Sequence, residues 1–117
     1  MIWIIGTGLM AKEYAKVLKA LQKDFIAIGR GEENCASFEK EFNVSAQRGG
    51  IDPFLKSNPA LPEAAIVTSG IEALSETTIS LLNAGVSKIL LEKPGIGYPS
   101  EMANRIAAYS GLHRLSI

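Results

Sequence analysis

Cysteine, histidine and tryptophan occur once each in this chain of 117 residues, which leaves little of the side-chain chemistry on which stapled domains and metal centres depend. Cys35 has no partner for an internal disulfide, and there is no cysteine or histidine cluster to hold a metal, so the chain suits a reducing cytoplasm. An excess of charge of one sign is also lacking. Twelve basic residues face 12 acidic ones, and no basic cluster alternates with aromatics, which argues against a nucleic-acid partner. No apolar run approaches the length of a membrane span. The apolar start has no basic n-region, is broken at Gly6 and Gly8 and soon meets Lys12 and Glu13, so it does not read as a signal peptide. With no repeat, low-complexity tract or interdomain linker, residues 1–117 form one domain, long enough to bury about two-thirds of the unfolded surface in one core.

What the sequence does have is a sharp change of period at its start. Ile2 to Ile5 is apolar without alternation and runs into Gly6-Thr7-Gly8, which suggests a strand buried on both faces that opens into a tight turn. From Met10, apolar residues at Tyr14, Val17, Leu18 and Leu21 alternate with Lys12, Glu13, Lys16 and Lys19, giving one buried helical stripe with a charged outer face. Strand, glycine turn and helix in this order fit the phosphate-cradling turn of a dinucleotide-binding βαβ unit, G-T-G-L-M-A from Gly6 to Ala11. Gly6 lets the chain turn off the strand, Gly8 removes the Cβ that would block a pyrophosphate, and Ala11 lets the helix lie close. The expected cofactor contacts here are Gly6, Thr7, Gly8, Leu9 and Met10. The competing explanation is a glycine turn required only by sterics.

The rest of the chain keeps the rhythm. Phe25 to Ile28 reads as a second strand ended by Gly29-Arg30-Gly31, Glu32 to Phe42 as a helix stopped at Asn43, and Val44 to Ala46 as a short third strand. Arg48-Gly49-Gly50 is a turn, Ile51 to Lys56 a brief helix, and Ser57 to Pro62 a proline-punctuated loop. Ala64 to Thr68 is a strand closed by Ser69-Gly70, and Leu74, Thr78, Leu81 and Leu82 mark a helix ended at Gly85. Lys88 to Leu91 is the next strand, followed by a loop from Pro94 to Pro99. Ser100 caps a helix whose inner face is Met102, Ile106 and Tyr109, and Leu112 to Ile117 is a final strand. This alternation implies an α/β fold, a doubly wound parallel sheet of the Rossmann kind in one three-layer domain. Ligands of such sheets lie beyond the carboxyl ends of the strands. Those ends are Gly6-Thr7-Gly8, Gly29-Arg30, Thr68-Ser69-Gly70 and Glu92-Lys93-Pro94.

Two motifs together, I-I-G-T-G-L-M-A at Ile4 to Ala11 and L-L-E-K-P at Leu90 to Pro94, make the chain resemble the N-terminal domain of the glucose-fructose oxidoreductase and inositol dehydrogenase family, Gfo/Idh/MocA. The resemblance covers nearly the whole chain. It implies an NAD- or NADP-binding domain of an oxidoreductase that moves hydride between a nicotinamide cofactor and a sugar, sugar derivative or polyol. It further implies that Lys93 lies near the nicotinamide and handles the proton of the substrate hydroxyl, with Glu92 and Pro94 positioning it. Thr68-Ser69-Gly70-Ile71-Glu72-Ala73 lacks the proline and histidine of the family's T-P-x-x-x-H pattern, although cofactor contacts are still expected at Thr68, Ser69 and Gly70. The family's C-terminal substrate domain, a largely antiparallel sheet, has no counterpart in residues 1–117, so these residues alone are expected to turn over no simple sugar or polyol. Two alternatives to the first reading are a non-catalytic nucleotide-binding or interaction module, and a fragment of a longer enzyme.

The end of the second strand bears on which cofactor is preferred. An NAD-specific site places Asp or Glu there for the ribose hydroxyls, whereas a 2′-phosphate is welcomed by arginine. This chain has Ile28-Gly29-Arg30-Gly31, with no acid until Glu32, so NADP is expected to be preferred over NAD, with Gly29 and Arg30 as contacts. Arg30 stacking over the adenine or pointing into water is the alternative. Arg48 is expected to be a solvated loop arginine, Trp3 a core residue, Cys35 part of a helix face and His113 structural. Leu112, Leu115 and Ile117 on an uncovered terminal strand lead to the expectation of a homo-oligomer.

Overall fold

Residues 1–68 and 71–91 are described by the structure, a computed structural model, with the side chains of residues 71–75 excepted. The expectations for Ser69, Gly70 and residues 92–117, including Glu92, Lys93 and the terminal strand, therefore lie outside the described residues.

Five strands, β1 (Ile2–Ile5), β2 (Phe25–Ile28), β3 (Ala46–Gln47), β4 (Ala64–Val67) and β5 (Ile89–Leu91), pair in the order β3-β2-β1-β4-β5. Every pairing is parallel. The helices α1 (Leu9–Ala20), α2 (Glu32–Phe42), α3 (Ile51–Lys56) and α4 (Ile71–Ala84) fill the crossovers. The chain starts in the middle strand, winds outward through β2 and β3, then returns to the other side of β1 for β4 and β5. This reversal leaves a topological switch point between β1 and β4, where doubly wound sheets bind their ligands.

Side chains of a strand alternate between faces, and β1 divides accordingly. Ile2 and Ile4 pack with Phe25, Ala27, Ile66 and Leu90 beneath Tyr14 and Leu18 of α1 and Phe38 of α2. Trp3 and Ile5 pack on the opposite face with Ile28, Val67, Ile89, Ile51 of α3 and Leu81 of α4. Two helical layers thus enclose one sheet. Trp3, 2% exposed, meets the Phe54 ring edge-on at 5.0 Å and 69°, a core residue as its strand pattern implies.

Three details differ from the sequence reading. The third strand is Ala46–Gln47 rather than Val44 to Ala46. Asn43 caps α2 in the left-handed conformation at φ 54°, and the chain reaches β2 only where Ala46 and Gln47 come opposite Ala27 and Ile28. A two-residue strand has no periodicity from which its register could be read. β4 and β5 also lie one residue inside the expected limits, β4 closing at Val67 and β5 opening at Ile89. In α4 the buried stripe includes Thr77, Thr78 and Leu81, while Leu82 is 46% exposed. Each helical residue advances about 100°, so Leu82 falls a step past Leu81 and out toward solvent. Thr78 and Leu81 are buried as expected, and only Leu82 departs. No helix among the described residues is long and apolar enough to cross a membrane.

Candidate functional site

β1 and β2 end side by side, held in register where Gly6 N–H donates to Ile28 O at 2.7 Å, and the end of β2 is tied to β3 where Gly29 N–H donates to Gln47 O at 2.8 Å. Beyond them opens a cleft of about 340 Å³ whose wall includes Gly6, Thr7, Gly8, Gly29, Arg30 and Asn34. The two sequence segments expected to meet a dinucleotide, Gly6-Thr7-Gly8 and Gly29-Arg30, are brought together here.

The glycines differ in what they do. Gly6 has φ 128°, a conformation that L side chains rarely adopt, and a Cβ there would overlap Thr68 Oγ1. Thr68 is itself fixed, since both its N–H and its Oγ1 donate to Ile5 O at 3.0 Å. Gly6 is thus a requirement of the turn, and Thr68 is spent on closing β4 onto β1. Gly8 has an ordinary φ of −84°, and a Cβ added there would meet nothing within 4 Å. Neither backbone strain nor packing demands glycine at position 8. What the missing Cβ leaves is open space beside the backbone at the start of α1.

That helix end is suited to an anion. Its cap, Gly8, offers no side-chain hydrogen bond, and its first turn has no acidic residue. The N–H groups of the first turn have no acceptor within their own helix, and the helix dipole adds partial positive charge. The residues present therefore fit the pyrophosphate of a dinucleotide. Leu9, the first helical residue, is 80% exposed beside the turn, whereas Met10 packs against the core under α1, so only its backbone is available at the helix end.

On the β2 side, Gly29 allows a close approach. A Cβ at that position would lie 2.5 Å from Thr7 Oγ1 and 2.9 Å from Cys35 Sγ. Thr7 and Cys35 thereby leave no room for a side chain where β2 ends. Cys35 is buried, and its thiol donates to Gln47 O at 3.6 Å, so it serves packing on the inner face of α2, as expected. The next residue, Arg30, is exposed at the cleft and lies over Gly50, whose Cβ would come 3.3 Å from Arg30 Cγ and Nε. Gly50 has φ 84° and donates its N–H to Gly29 O at 2.8 Å, which fixes the platform under Arg30. The sequence pattern marks Gly50 only as part of a turn and does not single out Asn34, which reaches the cleft from the first turn of α2. A helix starting directly after the β2 end was the available signal for Asn34.

Arg48 lies in the exposed loop after β3, as expected, but its guanidinium is committed to partners that the sequence does not reveal. Its Nε and Nη2 donate to Glu32 Oε2 and Oε1 at 2.7 and 3.2 Å, and Nη1 lies 2.9 Å from Glu39 Oε1 while donating to Ala46 O at 2.8 Å. Hydrogen bonds from Arg48 hold the Glu32 carboxyl below its ordinary range. The Ala46 N–H, followed by Arg48, does the same for Glu39, and the two carboxylates raise the guanidinium in turn. The cluster ties both halves of α2 to β3.

Residues 1–111 match the model of the Gfo/Idh/MocA oxidoreductase family, described as having an NAD-binding Rossmann fold. No curated protein matches the chain. Among solved structures it is similar to GenD2 from gentamicin A biosynthesis, in complex with NAD, with a TM-score of 0.66 and 20% identity over 94% of this chain and 31% of that one. It is also similar to biliverdin reductase from Synechocystis sp. PCC 6803, in complex with biliverdin and NADP+, with a TM-score of 0.65 and 20% identity over 91% of this chain and 35% of that one. A third is UDP-N-acetylglucosamine 3-dehydrogenase GnnA from Acidithiobacillus ferrooxidans, with a TM-score of 0.63 and 20% identity over 94% of this chain and 34% of that one. The chain spans about a third of the length of these structures, and at this identity the likeness is one of fold.

Proposed function

We propose, given that this chain belongs to the Gfo/Idh/MocA oxidoreductase family and carries its NAD-binding Rossmann domain, that it is the cofactor-holding part of an oxidoreductase acting on a sugar, sugar derivative or polyol, with NADP preferred over NAD. The observation that carries the nucleotide site is Gly8: a glycine that neither its φ nor its neighbours require, at an uncapped helix start free of acidic residues. A nicotinamide dinucleotide bound there would supply the hydride acceptor or donor. The chain's own part is placement. The backbone at Gly8 and the first turn of α1 receive the pyrophosphate, and the cleft between Gly6-Thr7-Gly8 and Gly29-Arg30 takes the adenosine end. Lys93, by the family motif, takes the hydroxyl proton when the substrate carbon gives up hydride and returns it in the reverse direction.

Preference for NADP is supported by two features of the β2 end. Thr7 and Cys35 close position 29 to a carboxylate, and Arg30 lies at the cleft over Gly50 with its planar fork available to a 2′-phosphate. A charge-assisted contact of about 1.5–3 kcal/mol corresponds to about ten- to a hundredfold in affinity, and the exposure of Arg30 favours the lower figure. Titrations of the chain with NADPH and NADH, followed by reduced-nicotinamide fluorescence, test this reading. NADPH should bind about tenfold more tightly, and Arg30→Ala should bring the ratio toward unity while barely changing NADH binding. Equal or tighter NADH binding by the unmutated chain would refute the preference, and binding of neither would refute the site.

A further inference from the structure

The acid nearest to the β2 end in the direction of the chain is Glu32, two residues after Arg30. Its side chain is 76% exposed, yet it is not at large. Arg48 grips both carboxylate oxygens, at 2.7 and 3.2 Å, in a fork-to-fork pairing that fixes the direction of the carboxylate as well as its charge. Arg48 is fixed in its turn. Nη1 donates to Ala46 O and pairs with Glu39 Oε1, and Glu39 Oε2 accepts the Ala46 N–H at 3.1 Å. The guanidinium is therefore anchored to the β3 strand and cannot swing toward a ligand without breaking these contacts. Arg30, by contrast, makes no ion pair among the described residues. The two arginines divide the work: one holds the carboxylate, the other faces the cleft.

We infer that Arg48 is a positioning residue for cofactor discrimination: by holding Glu32 toward β3 it keeps that carboxylate off Arg30 and off the ribose hydroxyls. The inference rests on the proposed role of Arg30 at the 2′-phosphate. Without Arg48, Glu32 keeps its charge and loses its partner, and the nearest cation along the chain is Arg30. An Arg30–Glu32 pair would occupy the fork that the phosphate needs. A carboxylate free at the start of α2 would also repel a 2′-phosphate while tolerating a ribose diol. Arg48 touches no cofactor in this scheme and acts only through Glu32.

The test is a set of NADPH and NADH titrations on the unmutated chain, Arg48→Met, Glu32→Gln and the double variant, each also unfolded in urea to measure its stability. Arg48→Met should lower the NADPH-to-NADH affinity ratio about two- to fivefold, the scale of an exposed ion pair. Glu32→Gln should leave the ratio alone, and the double variant should return it to that of the unmutated chain even though its stability stays reduced. A merely structural Arg48 would weaken both nucleotides together and would not be rescued by Glu32→Gln; either result overturns the inference. Should Arg48→Met not fold, Arg48→Lys, which keeps a cation but loses the fork, reads the same ratio. An unmutated chain without NADPH preference refutes the reading of Arg30 itself, whereas an unchanged ratio in Arg48→Met against a preserved preference refutes only the role of Arg48.

Discussion

Thr7 stands where a side chain at position 29 would have to begin: a Cβ on Gly29 would lie 2.5 Å from Thr7 Oγ1 and 2.7 Å from Thr7 Cγ2. The second residue of the glycine turn thus crowds the position at the end of β2 where a ribose-binding carboxylate would begin. Gly29→Ala should destabilise the fold by about 1–3 kcal/mol, as overpacking does. Thr7→Ala in the same chain should recover part of the loss, with Cys35 Sγ at 2.9 Å accounting for the rest. Urea denaturation of the two single variants and the double closes the cycle, and strictly additive losses would contradict the contact.

Gly6 and Gly8 should separate folding from binding. Gly6→Ala puts a methyl group at φ 128° against Thr68 Oγ1 and should lower stability by about 1–3 kcal/mol. Gly8→Ala meets no neighbour within 4 Å and should lower stability by less than about 1 kcal/mol, the effect of an alanine at a helix cap. Its methyl group nonetheless enters the space assigned to the pyrophosphate. NADPH and NADH binding should both weaken about tenfold or more, the loss of roughly 1.4 kcal/mol. A Gly8→Ala chain that binds as tightly as the unmutated one would remove the cradle from that position.

The Arg48 cluster should make the fold acid-sensitive. Glu32 and Glu39 have folded-state values below the ordinary carboxylate value, Glu32 through Arg48 and Glu39 first through the Ala46 N–H. Their contribution is complete above the unfolded value of about 4.3 and is lost as the pH falls through the depressed folded values. Stability measured from about pH 5 down to about pH 3 should fall more steeply in the unmutated chain than in Arg48→Met. Equal slopes would show that the pairing does not couple to folding.

Much of this was legible because β1, its turn and α1 are adjacent in sequence, so the change of period at Gly6 to Met10 fixes strand, turn and helix together. The convergence of Gly8 and Arg30 on one cleft followed from parallel topology alone. Arg48 was not legible. Its partners lie 16 and 9 residues earlier, on separate turns of α2, and no local pattern connects a loop arginine to them. The reason for glycine at position 29 was hidden for the same cause, since Thr7 and Gly29 meet only across the β1–β2 pairing. Leu82 was misplaced because two adjacent leucines satisfy a helical pattern equally well, and burial on the sheet chooses Leu81.

The central claim is that a nicotinamide dinucleotide lies across the β1–α1 turn and the β2 end, and backbone amide chemical shifts test it most directly. On addition of NADPH to the isotope-labelled chain, the largest changes should fall on Gly6, Thr7, Gly8, Leu9 and Met10 and on Gly29 to Asn34, while Asn43 to Ser45 at the opposite end of the sheet should stay in place. Changes centred on that opposite end, or none at all with NADPH and NADH in excess, would contradict the account.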